Sequence, residues 1–276
     1  MEEKKTELKM IKMSEVQSQE IEWLWYPFIP YGKLTIVQGD PGDGKTTLIL
    51  NIAAKLSKGE GLDNDMKLME SMNIIYQTAE DRLADTVKPR LEKAGADCER
   101  ILIIDESDKS LSMADERLEE AIIQTGARML ILDPIQAYLG GGMDMNRANE
   151  ARDMTKRLGT LAEKYKCAII LIGHMNKASG NKAAYRGMGS FDFFAVARSV
   201  LLVGRVEGEP NIRAVVQIKN NLAQFGHPKA FELMERGFKW LGDYEITADE
   251  VLGGIAPKAN KLEQAKQMLR ELAETT

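Results

Sequence analysis

The chain has 276 residues, 44% of them hydrophobic and 29% charged, with a formal net charge of −5. That is the mix of a globular protein of one large or two small domains, with enough core to fold without a disulfide or structural metal. It excludes a disordered acidic tail, a collagen-like repeat and wholesale coating of nucleic acid by a basic surface. No apolar run is long enough to span a bilayer, the N-terminus lacks a signal peptide's apolar core, and Cys98 and Cys167 form no CxxC pattern. Those features point to a cytoplasmic protein with reduced thiols and no membrane partner.

Residues 1–30 read as a lead-in segment. The first 20 are mixed in charge with no core pattern, and residues 21–30 then bring Trp23, Trp25, Tyr26 and Phe28. Aromatic density of that kind has to be covered, and two placements satisfy it: the flank of the chain's own core, or the surface of a neighbouring copy. From Lys33 strands and helices alternate. An apolar run at 34–37 closes in a glycine-rich turn and is followed by a predicted helix at 45–58. Next come a strand at 73–77, a helix at 82–94 ending at Gly95 despite Pro89, and a strand at 101–104. A helix at 115–125 capped by Gly126, a strand at 129–132, a long helix at 146–166 and a fifth strand at 167–172 complete the series.

Continuous apolar strands suit a parallel sheet covered by helices on both faces, so the order predicts an open α/β sheet. Runs at 200–203, 214–218, 231–233 and 238–240, separated by turns such as Glu207-Gly208-Glu209-Pro210, predict an antiparallel C-terminal extension of it. The expected core is residues 31–242. A tail, 243–276, follows. Its segment 261–272 has apolar positions at helical spacing but no partner for that face, as in a truncated chain or an assembly element.

Gly39-Asp40-Pro41-Gly42-Asp43-Gly44-Lys45-Thr46 fits G-x-x-x-x-G-K-[ST], with Thr47 beside it. A phosphate chain needs several amides converging on one point. Glycines allow that approach, and the following helix adds its positive end. Lys45 suits the β- and γ-phosphates, and Thr46 suits Mg²⁺. A companion carboxylate is expected at the end of a buried strand, and both Asp133 and Asp105 follow four apolar residues. Glu80, at the end of the second strand, is the candidate for orienting or deprotonating an attacking water, and Asp81 is expected to cap the helix that follows. His174 ends the fifth strand and could sense the γ-phosphate; His227, in Gly226-His227-Pro228, reads as a turn residue. Arg82 and Arg90 are candidate neighbours of the base or phosphates. Two loops follow strand ends on this same edge. One is glycine-rich, at 140–147. The other, at 177–187, carries Lys177, Lys182 and Arg186 with Tyr185 and no acid, a pattern suited to a nucleic-acid backbone or to a solvated loop.

With these residues in place, the chain resembles the RecA-like P-loop ATPases, above all the RepA-type hexameric replicative helicases and related phage and mobile-element ATPases. The resemblance runs from Trp23 to Trp240. It rests on the loop from Gly39 to Thr46 together with Thr78-Ala79-Glu80-Asp81, Asp133-Pro134-Ile135-Gln136, His174-Met175-Asn176-Lys177, Gly189-Ser190, Ala197-Arg198-Ser199 and Lys219-Asn220-Asn221-Leu222. It implies ATP and Mg²⁺ as ligands, Glu80 as the catalytic glutamate and Asp133, in place of Asp105, as the Mg²⁺-shell aspartate. It implies that the Glu80 strand lies beside the Asp133 strand, with the His174 strand between the latter and the loop strand. It also implies a homo-oligomer, a hexameric ring, in which a neighbour's basic residue completes the site. Lys219 matches that position, with Asn221 where relatives often carry arginine and Arg205 as a second candidate. The partners implied are single-stranded DNA and a replication protein. A competing reading, drawn from the acidic charge, the short chain and the unpartnered C-terminal helix, is a nucleotide-dependent oligomeric switch that binds proteins without moving on DNA.

Overall fold

A computed structural model describes residues 10–62, 70–139, 148–175, 191–235 and 237–253. The glycine-rich loop at 140–147, the basic loop with Lys177, Lys182 and Arg186, Gly189-Ser190 and the segment 261–272 lie outside the described residues.

The apolar runs form the central strands: β3 (Leu34–Gly39), β4 (Ile74–Thr78), β6 (Met129–Asp133), β7 (Ala168–His174) and β8 (Ser199–Val206). Successive residues along them face opposite layers. Val37, Ile131, Ile170 and Ile172 pack on the side of α1 (Lys45–Ser57), whereas Ile36, Leu130, Ile169 and Leu171 pack with α3 (Arg117–Thr125), α4 (Ala148–Tyr165) and α5 (Phe191–Val196). Burial on both faces is what a parallel sheet between helix layers produces. Short strands β1 (Trp23–Trp25) and β2 (Ile29–Pro30) precede β3; β5 (Ile101–Leu102) pairs with β4. The sheet ends in β9 (Glu209–Asn220), β10 (Lys229–Met234) and β11 (Gly237–Asp243). Its nine strands are ordered β11-β10-β9-β8-β3-β7-β6-β4-β5. The Glu80 strand is therefore beside the Asp133 strand, and the His174 strand lies between the latter and the loop strand.

Several expectations need correction. Run 200–203 belongs to both parts of the sheet, being antiparallel only on its β9 side. As β8 it pairs parallel with β3, Thr35 opposite Ser199, and the antiparallel ladder begins between it and β9. The third strand ends at Leu102 because the Gln77 side chain takes the place of a neighbour. Gln77 Oε1 accepts the Ile104 amide at 2.6 Å, and Nε2 donates to its carbonyl at 3.2 Å. The helix at 82–94 is split into a π-helical turn, Leu83–Val87, and α2 (Lys88–Lys93). Pro89 falls at the start of α2, where the π-helical turn gives way to α-helix.

The aromatic lead-in packs on its own flank. Trp25 is buried against Phe28, with ring centroids 4.3 Å apart, and Trp240, at 5.7 Å. The Gln217 amide donates to the Pro27 carbonyl at 3.0 Å and holds the segment to β9. At the other end α6 (Ala248–Gly253) lies on β8, where Val251 occupies the space that a side chain at Gly204 would need.

Candidate active site

The loop between β3 and α1 is built around glycine. A Cβ on Gly39 would run into the Val203 carbonyl of β8, so the chain turns off the sheet only without a side chain. Gly42 and Gly44 take φ of 81° and 87°, the left-handed region that glycine enters freely. Gly44 also lies under Leu233 of β10, 2.9 Å from where its Cβ would be. The first α1 bond from within the loop is Leu48 N–H to the Gly44 carbonyl, at 2.8 Å. The amides of Lys45, Thr46 and Thr47 precede it and have no acceptor one turn back. Pro41 is exposed at the tip. Lys45 is 4% exposed, and its ammonium folds back on the carbonyls of Gly39, at 3.0 Å, and Asp40, at 2.8 Å. Burial pulls its pKa down, and Asp43, Asp133, Asp40 and Glu80 push it back up.

Parallel register carries the other strand ends to this loop. Gly39 is opposite His174, and Thr78 is opposite Asp133. Asp133 Oδ2 accepts the Thr46 hydroxyl at 2.7 Å and the Tyr76 hydroxyl at 3.1 Å. Burial pushes the Asp133 carboxyl above the usual carboxylate range, and those two hydroxyls pull it back. Asp105 does something else: exposed, it accepts the amide and hydroxyl of Ser107. Glu80 projects at the same edge, with Oε1 3.8 Å from His174 Nε2, and its charge reaches both Lys45 and Asp133. His174 Nδ1 is buried with no partner among the described residues.

Asp81 does not cap the following helix. Its carboxylate holds Arg90 at 2.6 Å, and its amide donates to Thr78 Oγ1. Arg90 then lines a cleft of about 270 Å³ together with Thr47, Asn51, Lys93, Leu233 and Phe238, continuous with the loop through Thr47.

Lys219 and Arg205 part company. Lys219 pairs in register with Val200 near the start of β8, so it sits at the sheet edge opposite its own loop. There its ammonium donates to the Phe194 and Ala195 carbonyls at 2.6 and 3.0 Å, near the end of α5. Arg205 is at the other end of β8 and donates through Nε to Asp43 Oδ1 of the same chain at 3.3 Å. That is a contact within its own chain, made by a side chain that is 60% exposed. Tyr76 and the contact of Arg205 with Asp43 are the features of this site that sequence reasoning missed. Tyr76 had a signal: it shares strand parity with Thr78, which faces Asp133.

The donor set fits the expected ligands. A hydroxyl and a carboxylate oxygen 2.7 Å apart are the hard oxygens that Mg²⁺ takes, and a buried lysine beside left-handed glycines and free helix amides is a cradle for phosphates. What separates P-loop classes is where the second carboxylate enters. Glu80 follows β4, two strands beyond β7, and the fold and the family match make the chain a RecA-like P-loop ATPase. The profile of a family described as "AAA domain" matches residues 2–180, and the chain belongs to that family. Among curated relatives, the DNA repair protein RadA of Halalkalibacterium halodurans is 25% identical over 233 residues, covering 82% of this chain and 44% of the relative. The protein of the same name from Bacillus subtilis is 25% identical over 230 residues, with the same coverage. That from Streptococcus pneumoniae is 26% identical over 229 residues, 81% of this chain and 48% of the relative. The chain thus spans just under half the length of these relatives.

Proposed function

We propose that the chain is a Mg²⁺-dependent ATPase that works as a ring of copies on single-stranded DNA, a hexamer of the RepA-type replicative helicase kind, in the cytoplasm and alongside a replication protein. The observation that carries the reading is the convergence of Glu80, His174, Lys45 and the Thr46–Asp133 pair on one sheet edge. Lys45, with the amides from Gly42 to Thr47, binds and orients the triphosphate. Glu80 orients the attacking water or takes its proton, and His174 holds Glu80 and relays the state of the γ-phosphate to the loop after β7. Mg²⁺, held by Thr46 and Asp133, supplies charge neutralisation at the phosphates when bound. Lys219 of one copy serves the site of the next, since it lies at the edge opposite its own loop.

Relatives named for DNA repair support the choice of DNA, and Lys177, Lys182 and Arg186, which follow β7 in sequence, are the proposed contacts. No described helix is long and apolar enough to cross a membrane. Residues 1–30 serve as a docking segment on the core at 31–242, and 243–276 as a helical tail.

The test is ATP hydrolysis with and without single-stranded DNA, in the wild type, Glu80→Gln and Lys182→Ala/Arg186→Ala. Stimulation by DNA that the double variant loses, and turnover that Glu80→Gln stops while still binding ATP, support the proposal. Near-wild-type turnover by Glu80→Gln refutes the site assignment. Nucleotide-driven assembly without DNA affinity makes the chain a switch instead.

A further inference from the structure

Asp43 is an unexpected neighbour for a polyphosphate. It lies in the phosphate loop two residues before Lys45, and its side chain is only 12% exposed. Left alone, a carboxylate there would repel the anion that the loop exists to hold. Both of its oxygens are taken: Oδ2 accepts the Asp40 amide at 2.9 Å, and Oδ1 accepts Arg205 Nε at 3.3 Å. The guanidinium also covers Gly42, 3.4 Å from where a Cβ would be. Arg205 reaches this position because β8 is hydrogen-bonded to β3 and delivers its C-terminal end beside the loop. Its cross-strand partner, Arg213, is held elsewhere, donating to the Pro210 and Ile212 carbonyls.

From this geometry we infer that Arg205 is a cis positioning residue of the nucleotide site: it neutralises Asp43 and clamps it into the loop fold that accepts a polyphosphate. The inference rests on the nucleotide-binding reading and adds to it a residue that no phosphate-loop motif contains. Burial pushes the Asp43 carboxyl up, and the Asp40 amide and Arg205 hold it down. The pair therefore keeps an anion in a place where burial disfavours one. Asp43 ties down the loop backbone through the Asp40 amide, and Arg205 cancels its charge.

The experiment is titration of the full chain with a fluorescent ATP analogue, with hydrolysis measured in parallel and far-UV circular dichroism as a folding check. Arg205→Ala weakens binding by about tenfold, within the range of coupled contacts. Arg205→Lys, which keeps the charge, stays within about threefold of wild type. Asp43→Asn, which keeps the oxygen that Asp40 needs, brings the Arg205→Ala chain back to within about threefold. A clash or a purely structural loss would not be rescued by removing a charge from its partner. Mixing Arg205→Ala chains with Lys45→Ala chains yields no recovered hydrolysis, because both defects lie in the chain that owns the loop. Undiminished binding by Arg205→Ala, no rescue by Asp43→Asn, or recovery on mixing overturns the inference. Equal, negligible binding by the wild type and Lys45→Ala overturns instead the nucleotide reading on which it rests.

Discussion

Removing one buried oxygen atom tests how Asp133 is held. The Tyr76 side chain is fully buried, its ring packed in the α1 layer, and its hydroxyl donates to Asp133 Oδ2 at 3.1 Å. Tyr76→Phe keeps the ring and deletes that donor. A hydrogen bond to a charged group contributes roughly 1.5–3 kcal/mol, and the distance argues for the lower end. Without metal, Asp133 keeps the Thr46 hydroxyl at 2.7 Å, so the loss to folding is smaller, about 1 kcal/mol. A metal ion at Thr46 would take a lone pair of the hydroxyl oxygen and would need the Asp133 carboxylate ionised and oriented beside it, and the Tyr76 hydroxyl is one of the two side-chain donors that hold that carboxylate. Loss of this donor at about 1.4 kcal/mol is a factor of about ten, in line with other changes behind a metal ligand. Tyr76→Phe is expected to raise the half-saturating Mg²⁺ concentration about tenfold when binding of a fluorescent ATP analogue is followed, with a thermal midpoint within a few degrees of wild type. Superimposable Mg²⁺ titrations of the two proteins would refute the reasoning.

Lys45→Ala removes the ammonium that bridges the Gly39 and Asp40 carbonyls and is expected to abolish measurable ATP binding in calorimetry. Glu80→Gln keeps ATP bound while turnover falls by about 100-fold or more in a steady-state phosphate-release assay. Lys219→Ala is expected to lower hydrolysis by about 10³-fold with nucleotide binding intact. Mixing it with Lys45→Ala chains, which still carry Lys219, restores part of the rate. Away from the site, the Arg117 guanidinium bonded to Asp115 holds that carboxyl well below the usual carboxylate range. Such a group stabilises the fold above its unfolded pKa, about 3.9, and the contribution fades as pH falls through the depressed folded value. Urea midpoints of the wild type and Asp115→Asn should therefore differ at pH 7 and converge toward pH 2.

The phosphate loop was legible because its requirement is local: eight consecutive residues specify glycines, lysine and threonine, and the strand before and the helix after are apolar. Choosing between Asp133 and Asp105 was a different matter. Both end four-residue apolar runs; the resemblance selects Asp133, and the β4–β6 register with the Thr46 contact supplies the physical reason. The third strand was read too long because Ile103 and Ile104 look like strand, and nothing local reveals that a Gln77 amide takes over the pairing. The parallel pairing of β8 was missed because α5, the crossover before it, has six residues, too few to show a helical period. Arg205 and Asp43 are 162 residues apart, and no pattern in the chain links two such charges before the strand order is known.

That strand order explains how one hairpin can serve two sites. β8 and β9 run antiparallel, so the pairings Arg205 with Arg213 and Val200 with Lys219 lie toward opposite edges of the sheet. At one edge Arg205 meets the loop of its own chain; at the other Lys219 can meet phosphates only if they belong to a different chain. If Lys219 acts in trans as proposed, binding needs one copy and hydrolysis needs two. Under the proposal the β8–β9 hairpin joins the Asp43 contact of one site to the Lys219 contact of the next. In the single chain the Lys219 ammonium rests on the α5 carbonyls, and under the proposed trans role a chain without neighbours is expected to retain its nucleotide and not turn it over.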